Sequence, residues 1–137
     1  MTCSIRTGQL SDVEPVLALW SAAEAEPTHT DTAEHLDQLI SHDPLALIVA
    51  EDDGTLVGTV VAGWDGWRGS IYRLVITPSH RRLGLGSRLL EAAESRLASV
   101  GAVRLQAIVV ETESVATAFW EASTWEQQSQ RLRFVKG

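Results

Sequence analysis

The residues best suited to chemistry lie in one short stretch, where two arginines and two glycines follow a predicted strand. Arg81 and Arg82 carry forked N–H donors that match the geometry of phosphate oxygens. Gly84 and Gly86 have no Cβ, so a ligand can come close to their backbone. A helix is predicted to begin here, and a helix N-terminus offers unpaired N–H groups and partial positive charge. The stretch therefore predicts a cradle for a phosphate or pyrophosphate group.

Two well-known kinds of phosphate loop do not fit this stretch. A Walker loop needs a lysine before Ser or Thr, whereas Leu83 precedes Gly84 and no lysine is near. A dinucleotide-binding fingerprint needs a small residue where Leu89 stands, and an acidic residue where Gln106 stands. The alternative that the glycines form only a tight strand-to-helix turn stays open at this point.

The composition is that of an ordinary globular protein and predicts a single domain over residues 1–137. Hydrophobic residues make up 45% and charged residues 21% of the chain. The longest apolar run, residues 45–50, is far shorter than the ~20 residues of a membrane helix, and the first residues show no secretory pattern. Cys3 is the single cysteine, and the spacings CxxC and HExxH are absent. We therefore expect a reduced, cytoplasmic domain with no metal and no membrane partner.

Charge divides the chain into an acidic and a basic half. Residues 1–65 hold twelve acidic side chains and one basic, whereas residues 66–137 hold six acidic and ten basic. The net charge of −7 argues against a nucleic-acid partner. The asymmetry suits a protein that binds an anion with its second half and attracts a cation with its first, although scattered surface charge explains it equally well.

Apolar periodicity and turn signals predict a mixed α/β fold with the order β-α-α-β-β-β-α-β-α-β. The predicted strands are residues 4–6, 45–51, 55–63, 70–77, 103–110 and 131–135. The predicted helices run from a capping box of Ser11 and Glu14 to about Ala25, from Asp31 to the residue before Pro44, over 84–100 and over 115–122. This order predicts a single central, mostly antiparallel sheet with helices on both faces, and a parallel, right-handed crossover through the third helix.

A family resemblance rests on three features of this order. The turn Arg-x-x-Gly-x-Gly follows a strand ending in Leu-x-Ile-x-Pro, and a later helix contains Ala116, Phe119 and Trp120. Together with the element order, these motifs resemble the GNAT superfamily of acyl-CoA-dependent N-acyltransferases. The resemblance implies that the backbone of a strand pairs with the pantetheine arm of coenzyme A, namely at Leu74, Val75 and Ile76. It implies that the pyrophosphate lies on a loop and helix start formed by Arg81, Arg82, Leu83, Gly84, Leu85, Gly86 and Ser87.

The late helix departs from the family pattern at the position of the proposed acid. Glu113 stands where an asparagine is common, and Trp120 stands where a tyrosine is proposed to protonate the leaving thiolate. An indole N–H donates a hydrogen bond but does not release its proton usefully. Thiols have a reference pKa near ~8.5, so a thiolate is already a tolerable leaving group near neutral pH. A missing acid therefore slows the reaction, typically on the order of 10²–10⁴, without abolishing it. Tyr72, the only tyrosine, is the candidate catalytic acid, and a packed sheet aromatic is its alternative role.

A base must also take a proton from the attacking amine, and no motif identifies it. Glu26, in the predicted loop between the first two helices, is the residue we select, because in this architecture that loop borders the acceptor site. A solvated surface role is the alternative for every candidate. The candidates are Glu24, Glu26, His29, Asp31, Asp65 and Glu111.

The sequence thus predicts an N-acetyltransferase that moves an acetyl group from acetyl-CoA to a primary amine by direct attack. The alternative is a catalytically weak acyl-CoA-binding or regulatory module, which keeps the phosphate cradle and lacks the acid and the base. The expected partner is an amine acceptor, either a small molecule or a protein, and the resemblance implies a homodimer whose interface no segment identifies. Neither the acceptor nor the acyl chain length follows from the sequence.

Overall fold

The computed structural model describes residues 3–110 and 113–137. These residues divide into two compact units, the first ending at Ala107 and the second beginning at Ile108. The first unit has the strands β1 Cys3–Thr7, β2 Leu47–Asp52, β3 Thr55–Trp64, β4 Gly69–Ile76 and β5 Leu105–Ala107. Its helices are α1 Val13–Ala22, α2 Ala33–His42 and α3 Leu85–Ser99, and the second unit has α4 Ser114–Ala122. Among the described residues no helix is long and apolar enough to cross a membrane. The single domain stays a prediction.

The five strands form one sheet in chain order. Neighbouring strands from β1 to β4 are antiparallel, and β4 and β5 are parallel. This topology confirms the mixed, mostly antiparallel sheet and the parallel crossover through α3. Asp53 and Gly54, with φ angles of 51° and 81°, form the two-residue turn between β2 and β3, as a tight hairpin requires.

Side chains alternate along the strands and supply a core on each face of the sheet. On one face Leu47 and Val49 of β2 and Val61 of β3 pack with α1 and α2 in one apolar cluster. On the other face α3 lies close to the sheet, since a Cβ placed on Gly58 would be 2.9 Å from Cδ1 of Leu89. Helices therefore cover both faces, as the sequence predicts.

The start of α1 differs from the predicted capping box. A 3₁₀ turn leads into the helix, and Gln9 and Asp12 form the reciprocal cap in place of Ser11 and Glu14. The carboxylate of Asp12 accepts hydrogen bonds from the backbone N–H of Gln9 at 2.8 Å and from the guanidinium of Arg6 at 2.8 and 2.9 Å. The predicted capping box of Ser11 and Glu14 is therefore wrong, because Asp12 binds Arg6 of β1 and the backbone of Gln9.

Two predicted strands are shortened or missing. The apolar run 103–110 forms a strand only at Leu105–Ala107, and residues 131–135 form no strand. The apolar side chains of that last segment stay in solvent, with Leu132 86% and Phe134 88% exposed. Alternating basic and apolar residues favour an extended chain, but a strand also needs a neighbour with open hydrogen-bonding groups. In the described part of the chain the segment is not paired with one.

Candidate functional site

Strand β4 contains a bulge where the predicted pantetheine-binding segment begins. The register between β3 and β4 shifts by one residue between Tyr72 and Val75. Arg73 in this interval has φ 52°, a left-handed conformation uncommon for a residue with a side chain. A bulge interrupts regular pairing and re-aims the side chains that follow. As a result Tyr72 and Val75 both point to the face that carries α1 and α2, although they are three positions apart.

The hydroxyl of Thr59 fixes this bulge from β3. Thr59 is fully buried, and its Oγ1 donates to the carbonyl oxygen of Arg73 at 2.9 Å. Oγ1 of Thr59 also accepts a hydrogen bond from Nε1 of Trp20 at 2.9 Å. One hydroxyl therefore satisfies a buried indole N–H and a bulge carbonyl, and it joins α1, β3 and β4 at one point.

The side chain of Arg73 ties the loop between α1 and α2 to the same bulge. Its guanidinium pairs with the carboxylate of Asp31, with Nε 3.2 Å from Oδ1, and it donates to the carbonyl oxygen of Glu26 at 2.7 Å. The guanidinium also lies over the ring of Trp20, 5.1 Å from its centroid. Since the Arg73 and Asp31 side chains are each 17% exposed, solvent screens this pair only partly. The loop expected to border the acceptor site is thus anchored to β4.

Beyond the bulge, the edge of β4 on the β5 side carries backbone groups that no strand among the described residues pairs with. The parallel ladder with β5 covers three residue pairs at the start of β4. Val75 is paired with β3, and Thr77 donates to the carbonyl oxygen of Val57 at 2.9 Å. Because successive peptide groups of a strand alternate in direction, those of Leu74 and Ile76 point away from β3. Such an edge can pair with an extended ligand as it would with another strand.

The loop after β4 leads into the N-terminus of α3 through a glycine. Gly84 is the N-cap residue with φ 76°, and Arg82 has φ 63°, so two left-handed residues turn the chain into the helix. Because Gly84 has no side chain, the N-cap residue itself provides no side-chain cap to α3. Leu85 is buried and anchors the helix start, whereas Gly86 is half-buried and Ser87 is exposed. The first N–H groups of α3 are therefore placed to bind an anion.

Three arginines add fixed positive charge to this segment. Nε of Arg81 donates to the carbonyl oxygen of Ile76 at 3.2 Å, which joins the loop to the open edge of β4. Arg82 is exposed. Arg88, in the first turn of α3, donates to the carbonyl oxygen of Cys3 at 3.2 Å. Each guanidinium carries several N–H donors in a planar fork, which suits the oxygens of a phosphate.

Tyr72 lies on the face of the sheet that carries α1 and α2, and its side chain is 54% exposed. It lines an open concavity of about 190 Å³ beside the turn between β3 and β4. The other lining residues are Gly63, Trp64, Asp65, Arg68 and Ser70. The phenol can donate or accept a hydrogen bond and is within reach of a ligand in this concavity. Its role as the catalytic acid stays a prediction.

The candidate bases in the first interhelical loop differ in the contacts and the exposure of their side chains. Asp31 pairs with the guanidinium of Arg73, so its carboxylate is already engaged by a partner within the protein. Glu26 is held through its carbonyl oxygen, while its side chain is exposed. The assignment of Glu26 as base stays a prediction, and Glu111 lies outside the described residues. The other exposed candidates are Glu24 and His29.

Asp65 forms the turn between β3 and β4. Its carboxylate accepts the backbone N–H groups of Arg68 at 2.6 Å and Trp67 at 2.8 Å. These bonds, first that from Arg68, hold the pKa of Asp65 below its ordinary value. A carboxylate with a lowered pKa is a weaker base, so Asp65 is better suited to shaping the turn than to proton transfer.

Within the second unit, Trp120 belongs to an aromatic cluster. Its ring packs edge-on against Phe119 at 5.6 Å and against Trp125 at 4.9 Å between ring centroids. Such pairs stabilise packing beyond the area they bury. The indole at the position of the family's tyrosine thus has a packing role in its own unit.

Comparison with known proteins identifies the family. The model of the acetyltransferase (GNAT) family matches residues 13–124. The chain belongs to the GNAT acetyltransferase family. An acetyltransferase of Yersinia pestis is 33% identical over 124 residues, which cover 90% of this chain and 88% of that relative.

Solved structures share the GNAT fold. Ard1 from Thermoplasma volcanium has a TM-score of 0.78 at 21% identity, and the match covers 88% of this chain and 80% of Ard1. The PaiA N-acetyltransferase from Thermoplasma acidophilum, solved in complex with coenzyme A, has a TM-score of 0.73 at 19% identity and covers 88% and 87%. At these identities the likeness shows the fold, and it confirms the fold class predicted from the sequence.

Sequence reasoning missed the residues that build the bulge of this GNAT sheet. Thr59 and Arg73 have no local pattern that distinguishes them from other strand residues, because their roles depend on contacts with distant elements. Trp20 offered a weak signal, since an indole on the apolar stripe of a helix needs a partner for its N–H.

Proposed function

We propose that this GNAT protein is an N-acetyltransferase that transfers an acetyl group from acetyl-CoA to a primary amine by direct attack. The observation that carries the proposal is a helix N-terminus with a glycine N-cap and with Arg81 and Arg82, next to a strand edge at Leu74 and Ile76 that lies beyond the ladder with β5. The helix start suits a pyrophosphate, and the strand edge suits the amide groups of a pantetheine arm. Family membership supports this cosubstrate, as does the coenzyme A in the Thermoplasma acidophilum relative.

The open edge of β4 would orient the thioester and polarise its carbonyl. The amine nitrogen attacks the carbonyl carbon, the C–N bond forms, and N–H groups of this edge stabilise the negative charge that develops on oxygen. Breakage of the C–S bond then releases the thiolate of coenzyme A, which takes up a proton, while the nitrogen loses one to a base. Tyr72 and Glu26 are our candidates for these two proton transfers. Tyr72 shares a sheet face with α1 and α2, and Glu26 lies in the loop between them.

We further propose that the acceptor is cationic before it loses its proton. The acidic residues 1–65 include both elements that border the Tyr72 face, α1 and α2. A field of this sign raises the local concentration of a protonated amine. The proposal covers small polyamines as well as protein amines, and turnover with each class separates them.

Calorimetric titration of Gly86→Asp tests the coenzyme site. The variant places a carboxylate at the second position of α3, where it would meet the pyrophosphate, so we expect acetyl-CoA affinity to fall on the order of 100-fold. Ser95→Asp, an exposed position further along the same helix, is the matched control and should bind normally. In the unsubstituted protein, acetyl-CoA at about 100 times Kd should add about 2.7 kcal/mol of stability. Unchanged affinity of Gly86→Asp would remove the site assignment.

Turnover separates the enzyme from the alternative binding module. Thiol release from acetyl-CoA in the presence of amines is expected for the enzyme, whereas tight binding with no release for any amine class identifies a module. Tyr72→Phe keeps the ring and removes the hydroxyl, so a lowered kcat with unchanged Kd for acetyl-CoA supports its role as acid. The packing of Trp120 and the ion pair of Asp31 are the observations that favour the module.

A further inference from the structure

Three residues with metal-binding side chains meet in the first unit although they are far apart in the sequence. One ligand atom from each of Cys3, Asp52 and His80 lies within 4.8 Å of the others. Cys3 of β1 is directly opposite Asp52 of β2 in the antiparallel register. His80 ends the 3₁₀ turn after β4, and its Nε2 is 2.8 Å from Oδ2 of Asp52. All three side chains are half-buried, so they are partly desolvated and still accessible to an ion.

The imidazole of His80 is oriented from its other nitrogen. Nδ1 lies 2.8 Å from the hydroxyl of Ser79 and 3.4 Å from that of Thr77. Because a carboxylate oxygen only accepts, Nε2–H donates to Asp52 when no ion is bound. With an ion bound, the proton would lie on Nδ1 and donate to one of these hydroxyls, which leaves the lone pair of Nε2 for the ion. Hydrogen bonding at the non-ligating nitrogen fixes the tautomer and ring orientation of metal-binding histidines in the same way.

We propose that Cys3, Asp52 and His80 bind a thiophilic divalent ion, with Zn²⁺ as the best match. Thiolate, imidazole and carboxylate are the three ligand types of protein zinc sites, with bonds of about 2.0–2.3 Å. Ligand atoms around a tetrahedral ion at these distances lie roughly 3–4 Å apart, so small side-chain adjustments suffice. A pairing of His80 with Asp52 alone would explain two of the three residues but gives the thiol no role. Three protein ligands leave a fourth position for water.

The proposed metal site lies next to residues 81–88, the segment that we propose binds an anion, but the two sites use different atoms. His80 immediately precedes Arg81, and Arg88 donates to the main-chain oxygen of Cys3, not to its sulfur. A bound ion would link β1 and β2 to the turn that starts the segment. Metal binding does not rest on the proposed acetyl transfer, and its test requires no activity.

The unsubstituted full chain provides the first test. Titration of the chelator-treated protein with Zn²⁺ should give one ion per chain by calorimetry. Co²⁺ in place of Zn²⁺ should give a thiolate-to-cobalt charge-transfer band, which can arise only from Cys3 because the chain has no other cysteine. One equivalent of Zn²⁺ should also protect this thiol from alkylation, and a chelator should restore its reactivity. Mg²⁺, which prefers oxygen ligands, should give no protection.

Variants then assign the ligands. Cys3→Ser, His80→Gln and Asp52→Asn should each weaken Zn²⁺ binding about tenfold or more. Asp53→Asn and His42→Gln, at exposed positions, are matched controls and should bind as the unsubstituted protein does. Absence of the cobalt band, absence of thiol protection, or unchanged affinity in His80→Gln would each overturn the proposal. One ion per two chains would overturn it as well, because the site would then lie between copies. The thiol-protection assay needs no variant, so it tests the metal site even where a substitution prevents folding.

Discussion

A single hydroxyl, that of Thr59, connects three parts of the candidate site. It joins the indole of Trp20 to the backbone of Arg73, and the side chain of Arg73 continues the connection to Asp31. No periodic pattern of apolar residues in the sequence indicates these side-chain contacts. The turn from Arg81 to Ser87, which we propose binds an anion, has a signal in neighbouring residues of the chain, whereas the bulge depends on residues from three elements.

Thr59→Val should destabilise the protein and weaken acetyl-CoA binding. The substitution preserves shape but leaves the Trp20 N–H and the Arg73 carbonyl without their partner, at about 1–3 kcal/mol for each buried unsatisfied group. Chemical denaturation measures the loss of stability, and calorimetry measures the loss of affinity. Thr55→Val, at an exposed position of the same strand, should stay within about 0.5 kcal/mol. An equal effect of both substitutions would show that the bridge contributes nothing specific.

Between elements, an ion-pair cluster joins the first two strands to the start of α1. Arg6 of β1 pairs with Asp12 at 2.8 Å and with Glu51 of β2 at 3.3 Å. The hydrogen bond from Arg6 is the main reason that the pKa of Asp12 lies below its ordinary value. Asp12 is 7% exposed, so the cluster is a buried hydrogen-bonded unit on the Asp12 side.

The cluster predicts a pH-dependent stability that Asp12→Asn should remove. Because folding lowers the pKa of Asp12, its contribution is present above the unfolded value of about 3.9 and is lost as pH falls toward the folded value. We expect Asp12→Asn to cost about 1.5–3 kcal/mol at neutral pH, and the difference should shrink below about pH 4. Denaturation midpoints across this range measure it. Asp37→Asn, an exposed residue of α2, is the control, and a pH-independent difference for Asp12→Asn would contradict the prediction.

Element prediction succeeded where the signal was local and failed where pairing decided the outcome. Helix α3 was predicted within one residue at each end, because its apolar stripe and Gly84 are local signals. The final strand at 131–135 was not formed, since its alternation says nothing about a partner. Strict alternation along β4 would also place Tyr72 and Ile76 on one face, and the bulge at Arg73 places them on opposite faces.

The whole molecule is acidic, with a net charge of −7, although the segment that we propose binds an anion is basic. Coenzyme A, the cosubstrate of the proposed function, is itself an anion, so under that proposal the overall field opposes its approach and the arginines near α3 attract it locally. The sequence shows the division of charge between an acidic and a basic half, and the division of roles between the halves stays a prediction. It could not predict which arginines are free, because Arg73 and Arg96 turned out to pair with Asp31 and Asp43.

Arg82→Asn should weaken acetyl-CoA binding about tenfold and reduce its dependence on salt, provided that the proposed function holds. Arg82 is exposed and has φ 63°, and asparagine tolerates this conformation, so backbone strain does not confuse the result. Calorimetry at two ionic strengths measures both effects. Arg104→Asn removes an exposed charge near β5 and is the control. A similar loss for both variants would attribute the effect to net charge and not to contact with the ligand.

The short ladder between β4 and β5 also has a consequence for the protein without its cosubstrate. A row of unpaired peptide groups is the template on which strands of separate chains add to one another, and proteins commonly block such edges with charged side chains. Arg81 blocks the edge at Ile76, because its guanidinium donates to the carbonyl oxygen that a foreign strand would use. Under the proposed function, the arginine that helps to bind phosphate is therefore also the residue that protects this edge from aggregation while the cosubstrate is absent.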